Sequence, residues 1–372
     1  MKLTVNKDKL WGNLNIVSKA VSNRTSLPIL ECILIRAEDD KCWLVGNDLE
    51  IGIETAPIHA EVTENGSIAL EAKVLLDIVR KMPAEFISFE SEENCITVIK
   101  SGKSEIKILG YPGDEFPFLP IVDENNEFSV RAVQFKEMIR QTIFSVAIDD
   151  KKPALTGELL EIKDGILHLV SVDGFRISYR RCNFTVEIEN ECSHKLIIPS
   201  KSLSELLKIL PTEGNELLKF HFTDRHILFQ TDEYTFVSRL QDGEFVKYDQ
   251  IFNEDFLTIM NVDRMTLLSS IERACLIARD IKKSPVKFSI EDDKVVITSS
   301  TEKGASYDEI LADIDGENIK ISYNPRFMVD ALRVIEDNNV TLKFSGQHSP
   351  CIIKNDNNKS YKYLILPLKV NN

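Results

Sequence analysis

Leu70-Glu71-Ala72-Lys73-Val74-Leu75-Leu76-Asp77-Ile78-Val79-Arg80-Lys81 leaves an extended apolar run, places a base and continues with helical spacing, and the chain writes this pattern twice more. The second copy is Ile198-Pro199-Ser200-Lys201-Ser202-Leu203-Ser204-Glu205-Leu206-Leu207-Lys208-Ile209, and the third is Tyr323-Asn324-Pro325-Arg326-Phe327-Met328-Val329-Asp330-Ala331-Leu332-Arg333-Val334. An acid follows the leading base by four residues (Asp77, Glu205, Asp330), and a second base follows three later (Arg80, Lys208, Arg333). Steps of four and three lie along one helical face. The leading bases recur roughly every 125 residues, far beyond the 20 to 50 of a solenoid repeat, so the copied unit is a whole domain.

Working outward, each copy has the same companions. A second helix precedes it, predicted over residues 9–21 (Leu10, Leu14, Val17 and Val21 at helical spacing), 135–144 and 264–279. A hairpin lies between the two helices, turning at Asp39-Asp40-Lys41, at Asp164-Gly165 and at Asp292-Asp293-Lys294. Its first strand in the first copy is expected over 29–36. The expected class is α+β, with two helices per domain set on antiparallel sheets. Three domains follow, 1–120, 121–250 and 251–372, with joints near Pro117-Phe118-Leu119-Pro120 and near residues 246–253.

The composition is that of a water-soluble globular chain: 43% hydrophobic and 28% charged over 372 residues. Seven scattered cysteines without a CxxC pair favour reduced thiols. With no signal-peptide core and no membrane-length apolar run, the expected location is cytoplasmic. The net charge of −14 argues against a nucleic-acid partner unless the charge is segregated. It is segregated. Residues 5–22 carry +2, and 71–82, 134–148, 200–210, 263–279 and 325–335 carry +1 each, so the helices hold +7 and everything else −21. Six helices of one sign on an oppositely charged body suggest a surface for a polyanion. No zinc-finger, RNP or basic-zipper motif accompanies these bases, so the expected contact is with phosphate and blind to base sequence.

Nothing supports catalysis. The six histidines form no metal motif, and no nucleophile elbow, Walker loop or dinucleotide fingerprint is present. Asp48, Asp173 and Asp149-Asp150 read as turn carboxylates. A metal-dependent nucleic-acid-processing enzyme using those acids is the alternative reading, and a monomeric scaffold a third. No cofactor or metal is expected.

Arg24-Thr25-Ser26-Leu27-Pro28-Ile29-Leu30, Asn47-Asp48-Leu49-Glu50, Val172-Asp173-Gly174-Phe175-Arg176-Ile177, Asp242-Gly243-Glu244-Phe245 and Tyr363-Leu364-Ile365-Leu366-Pro367-Leu368 fall in order along the chain. Together they resemble the bacterial β sliding clamp family, the processivity subunit of DNA polymerase III. The resemblance implies three DNA-clamp domains per chain and a head-to-tail homodimeric ring around double-stranded DNA, with the helices inside. It also implies a peptide pocket for the replicative polymerase, the clamp loader and repair proteins.

Carried over by position, the pocket takes Leu155, Val172, Gly174, Phe175, Arg176 and Ile177 from the second domain, with Arg176 at its rim. Val246 and Ile251 come from the joint, and Asn324, Phe327, Leu364, Ile365, Leu366, Pro367 and Leu368 from the third domain. The DNA-facing bases are Arg24, Lys73, Arg80, Lys151, Lys152, Lys201 and Lys208. At the ring joint, Ile106 is expected against Leu276 and Ile277, and Lys103 and Lys107 against Glu302, Asp308 and Glu309. The chain departs from common relatives at Val246 and Gln250, where Pro and Arg are frequent, and at Phe327, where Tyr is common.

Overall fold

The computed structural model describes the chain apart from residues 23, 123–126, 149–151, 187–192, 253–254, 278–284, 355–359 and 369–372. Among the described residues there are six α-helices, two per repeat: α1 (Lys7–Val17), α2 (Ala72–Lys81), α3 (Ala132–Thr142), α4 (Ser200–Ile209), α5 (Arg264–Ile277) and α6 (Pro325–Val334). Their ends are written locally. Asn6 Oδ1 accepts from the N–H groups of Asp8 and Lys9, satisfying two donors that the first turn of α1 leaves open. In α2, Leu75, Ile78 and Val79 are buried while Arg80 and Lys81 occupy the last turn, at the negative end of the helix dipole. Pro325 stands at the first position of α6, where its missing N–H costs nothing, and Asn324 Oδ1 caps the helix through Arg326 N–H at 3.1 Å.

The hairpins form at the expected turns. Glu38 pairs with Lys41 across Asp39 and Asp40 (φ 47° and 58°), and Lys163 with Ile166 across Asp164 and Gly165 (φ 52° and 72°). Left-handed backbone at both central residues matches the twist of the strands. One expectation fails: residues 29–36 are not all strand. Pro28–Glu31 is a 3-10 turn and the strand is Cys32–Glu38, because Pro28 fixes φ and offers no N–H to a ladder. Pro153–Thr156 repeats the arrangement before the second hairpin.

Two compact units result, Met1–Val133 with Lys201–Leu240, and Gln134–Phe184 with Gln241–Asn372. The second repeat is divided between them because its strands join two sheets. In the first unit, Tyr234–Arg239 pairs antiparallel with Ile51–Thr55 inside a 15-stranded sheet. In the second, Arg176–Asn183 pairs antiparallel with Tyr361–Ile365 inside a 9-stranded sheet, and a separate 4-stranded sheet carries the third-repeat hairpin. Phe288, Tyr323, Leu332, Phe344 and Ile365 belong to one buried core, while Leu155, Val172, Ile177 and Leu364 belong to another. Each such side chain contributes about 1.5–3 kcal/mol by leaving water. One acid is sealed in as well. Glu158 is fully buried with Thr142 Oγ1 donating to it at 2.5 Å, and loss of solvation pushes its carboxyl up to about 8.

Candidate functional site

The turn Asp173-Gly174-Phe175-Arg176 is organised by its first residue. Asp173 Oδ1 accepts from the N–H groups of Phe175 (2.9 Å) and Arg176 (3.0 Å). Gly174 holds φ 86°, a conformation side chains resist. The turn delivers Phe175 to the surface, 59% exposed, and its carbonyl accepts from Leu366 N–H at 2.9 Å. The chain end therefore runs across the turn, and Leu368 N–H fixes the far side by donating to Ser322 O at 2.8 Å. Leu366 is 37% and Ile251 41% exposed. Leu155, Val172, Ile177 and Leu364 share one buried cluster, with Val246 packed against it. Exposed apolar side chains beside a buried apolar cluster suit the capture of a short apolar segment.

Three residues expected in the pocket do other work. Arg176 is not a rim donor, since its side chain is only 11% exposed and is held on every side. Nε donates to Asp173 Oδ2 (2.9 Å), Nη1 to Asp330 Oδ2 (2.7 Å) and Nη2 to the Phe144 carbonyl. The guanidinium also lies 4.4 Å from the centre of the Phe327 ring, which is half-buried and 6.5 Å from that of Phe175. Ile365 is fully buried in the third-repeat core, because alternation along the strand sends it opposite to Leu364. Asn324 supplies the cap of α6. Pro367 and Leu368 are half-buried beyond the last strand.

The first repeat builds the same turn and closes it differently. Asp48 Oδ1 accepts from Glu50 (3.0 Å) and Ile51 (2.7 Å), and Leu49 takes the left-handed position at φ 71°. There α4 supplies Lys201, whose ammonium donates to Asp48 Oδ2 (2.7 Å) and Glu50 Oε2 (3.0 Å). Ser202 stands where α6 has Phe327, and Ser238 Oγ donates to it at 2.7 Å. Polar closure thus replaces the aromatic wall. Lys201, expected to face DNA, commits its charge to two carboxylates. Asp48 and Asp173 serve as turn acceptors, and no group of three metal-ligating side chains occurs among the described residues.

Of the other expected DNA-facing bases, Arg24, Lys73, Arg80, Lys152 and Lys208 are exposed, and Lys151 lies outside the described residues. Arg80 pairs with Asp77 and Lys208 with Glu205, each at 2.7 Å and in the three-residue step written in the repeat. The third copy breaks the pattern: Arg333 reaches Glu272 and Asp330 is taken by Arg176.

Ser104–Leu109 and Gly304–Leu311 are each the last strand of a sheet, paired on one side among the described residues. Ile106 and Leu276 are exposed, the latter by 67%, and Ile277 is half-buried. Lys103 and Glu302 are exposed. Three members of the expected charge pairing have partners within the chain. Lys107 lies 3.6 Å from Glu105, Asp308 accepts from Arg273 at 2.6 Å, and Glu309 from Lys294 at 3.1 Å.

Comparison with known proteins decides the family. Models of the DNA polymerase III beta subunit match in sequence order: the N-terminal domain over residues 1–120, the central domain over 129–247 and the C-terminal domain over 249–369. The chain belongs to the DNA polymerase III beta subunit family. The beta sliding clamp of Bacillus subtilis is 34% identical over 99% of this chain and 100% of that protein. Among solved structures, a putative DNA polymerase III beta subunit from Eubacterium rectale superposes with a TM-score of 0.93 at 40% identity, covering 99% of each chain. A sliding clamp from Pseudomonas aeruginosa bound to griselimycin superposes with a TM-score of 0.93 at 25% identity, covering all of both chains. The threefold α+β fold read from the repeats is the clamp fold. No helix among the described residues is long and apolar enough to cross a membrane.

Sequence reasoning missed Asp330 as the partner of Arg176 and missed the Phe144 carbonyl. It also missed Tyr248, whose hydroxyl donates to Glu161 and ties the second joint to its sheet. A signal for the first was available. Phe327 against Ser202, at one position of two copies of a helix, marks the joint whose chemistry changes.

Proposed function

We propose that the chain is a cytoplasmic, non-enzymatic sliding clamp of three domains, 1–120, 121–250 and 251–372. Two copies close head to tail around double-stranded DNA and give the replicative polymerase its processivity. The polymerase, the clamp loader and repair proteins dock by short apolar peptides at Phe175, Phe327, Ile251, Leu366 and Pro367, beside the buried Leu155, Val172, Ile177 and Leu364. Arg24 and Lys73 offer exposed charge to phosphate without reading bases.

The observation that carries the ring is the pair of outer strands, one in the first repeat and one in the third, each unpaired on its outer side among the described residues. Apolar residues lie exposed on both, Ile106 and Leu109 on one and Tyr307 and Leu311 on the other. Two different edges that fit each other make a head-to-tail contact, which forms a ring when the rotation closes. Light scattering tests it: a mass twice the 42.3 kDa of the chain is expected, and a monomer at micromolar concentration contradicts it. Griselimycin, which the Pseudomonas aeruginosa clamp binds, serves as a probe of the docking site.

A further inference from the structure

We infer that Asp330 is a positioning residue for peptide docking, acting through Arg176 on the aromatic wall of the pocket. The inference rests on the docking reading above and deepens it.

Asp330 lies on α6 one turn after Phe327, and in the repeat it occupies the place of Asp77 and Glu205. Those two acids accept from the base three residues ahead of them on their own helices. Asp330 does not: Arg333 goes to Glu272, and Asp330 Oδ2 accepts from Arg176 Nη1 at 2.7 Å. Arg176 is anchored at two further points, through Nε to Asp173 Oδ2 and through Nη2 to the Phe144 carbonyl. A planar guanidinium held at three points has little freedom to rotate. Its plane is therefore set, and Phe327 lies against it with 4.4 Å from the guanidinium carbon to the ring centre. Phe175 follows at 6.5 Å from Phe327 with 29° between the rings. Asp330 is the anchor that belongs to α6, so it sets the guanidinium with respect to the helix that carries Phe327.

The sister joint shows what the ion pair replaces. There the base is on the helix (Lys201) and the acid on the turn (Asp48), and a Ser202–Ser238 hydrogen bond fills the aromatic position. Moving the acid to the helix and the base to the turn places a cation beside the ring. The ring is then held by a cation-π contact and its remaining surface is left for a ligand. Asp330 touches no ligand in this scheme. It shapes the wall that does.

The test measures griselimycin affinity for the full-length protein as wild type, Asp330→Asn, Asp330→Glu, Phe327→Leu and the Asp330→Asn, Phe327→Leu double variant, with Leu366→Ala as a pocket control. Asp330→Asn keeps the shape and removes the charge. It is expected to weaken binding by roughly 5- to 10-fold with the dimer and the melting curve preserved, as expected when a charge-assisted anchor is removed and a cation-π interaction weakened. Asp330→Glu, which retains the carboxylate, recovers part of that loss. In the Phe327→Leu background, Asp330→Asn costs less than about 2-fold, because the ring it positions is gone. A merely structural Asp330 gives the same loss in both backgrounds. That result, or unchanged affinity in Asp330→Asn while Leu366→Ala weakens binding, overturns the role of Asp330 and leaves the pocket standing. Unchanged affinity in Leu366→Ala and Asp330→Asn alike removes the pocket, and the role of Asp330 with it.

Discussion

Lys201 Nζ lies 2.7 Å from Asp48 Oδ2, so the leading base of the second copied helix is bound to the turn of the first repeat. The Asp48 side chain is almost fully buried, and its other oxygen already holds the turn. Removing the ammonium takes a charged hydrogen-bond partner from a carboxylate that has little exposure of its own. Lys201→Met is expected to lower unfolding stability by about 1–2 kcal/mol, read as an earlier urea midpoint with an unchanged slope. The salt dependence of DNA association should barely move. A stable variant with a much flatter salt dependence would return Lys201 to the DNA path.

Arg24 and Lys73 are exposed, with no ion pair among the described residues, whereas Arg80 and Lys208 are countered by Asp77 and Glu205. Each phosphate left without its cation takes about 0.9 from the slope of log K against log salt. Arg24→Glu with Lys73→Glu should therefore weaken DNA association and flatten that slope by about 2 or more. Arg80→Glu with Lys208→Glu should do less. Equal slopes in wild type and the first double variant would take those two bases off the DNA surface.

Leu366 is partly exposed, so truncating it empties a docking surface more than a core. Leu366→Ala with Pro367→Ala should cost griselimycin more than about 10-fold in affinity, as loss of an apolar anchor does, while the protein stays dimeric. Titration by fluorescence anisotropy reads the affinity and light scattering the mass. Full affinity in this variant would move the docking site elsewhere.

Glu158 titrates at about 8 in the folded chain, against an ordinary value of 4.5, because burial disfavours its charged form. The folded state therefore holds a proton that the unfolded state has released, over the window between those two values. Stability from this group is lost as pH rises through that window, by up to about 1.4 kcal/mol per pH unit. Glu158→Gln removes the contribution. The variant should gain on wild type in chemical denaturation as pH is raised from 5 to 9, and a constant difference across that range would mean the carboxyl is not neutral in the fold.

The repeats, the hairpin turns and the helices were legible because each rests on a local rule. Helical spacing fixes Leu75, Ile78 and Val79, and an Asp-Gly turn fixes residues 164–165. The gathering of Leu155, Val172, Ile177 and Leu364 was legible only through family resemblance, since they come from separate strands and turns. What could not be read was which partner each charge takes. Asp330 has Arg333 three residues ahead on its own helix, yet the structure gives it Arg176, 154 residues away. Lys201 likewise leaves its helix for Asp48. A one-dimensional pattern assigns charges to the nearest opposite charge on the same face, and tertiary packing at the joints overrides it. Ile365 was misplaced for a simpler reason: neighbours on a strand face opposite ways.

The central claim is that this protein holds DNA by topology, and retention on a closed circle measures that most directly. After loading onto nicked circular DNA, slow loss is expected at a salt concentration that abolishes simple binding. Cutting the same circle once should release the protein quickly from the ends. Equal retention on the circular and the linearised DNA would contradict a clamp.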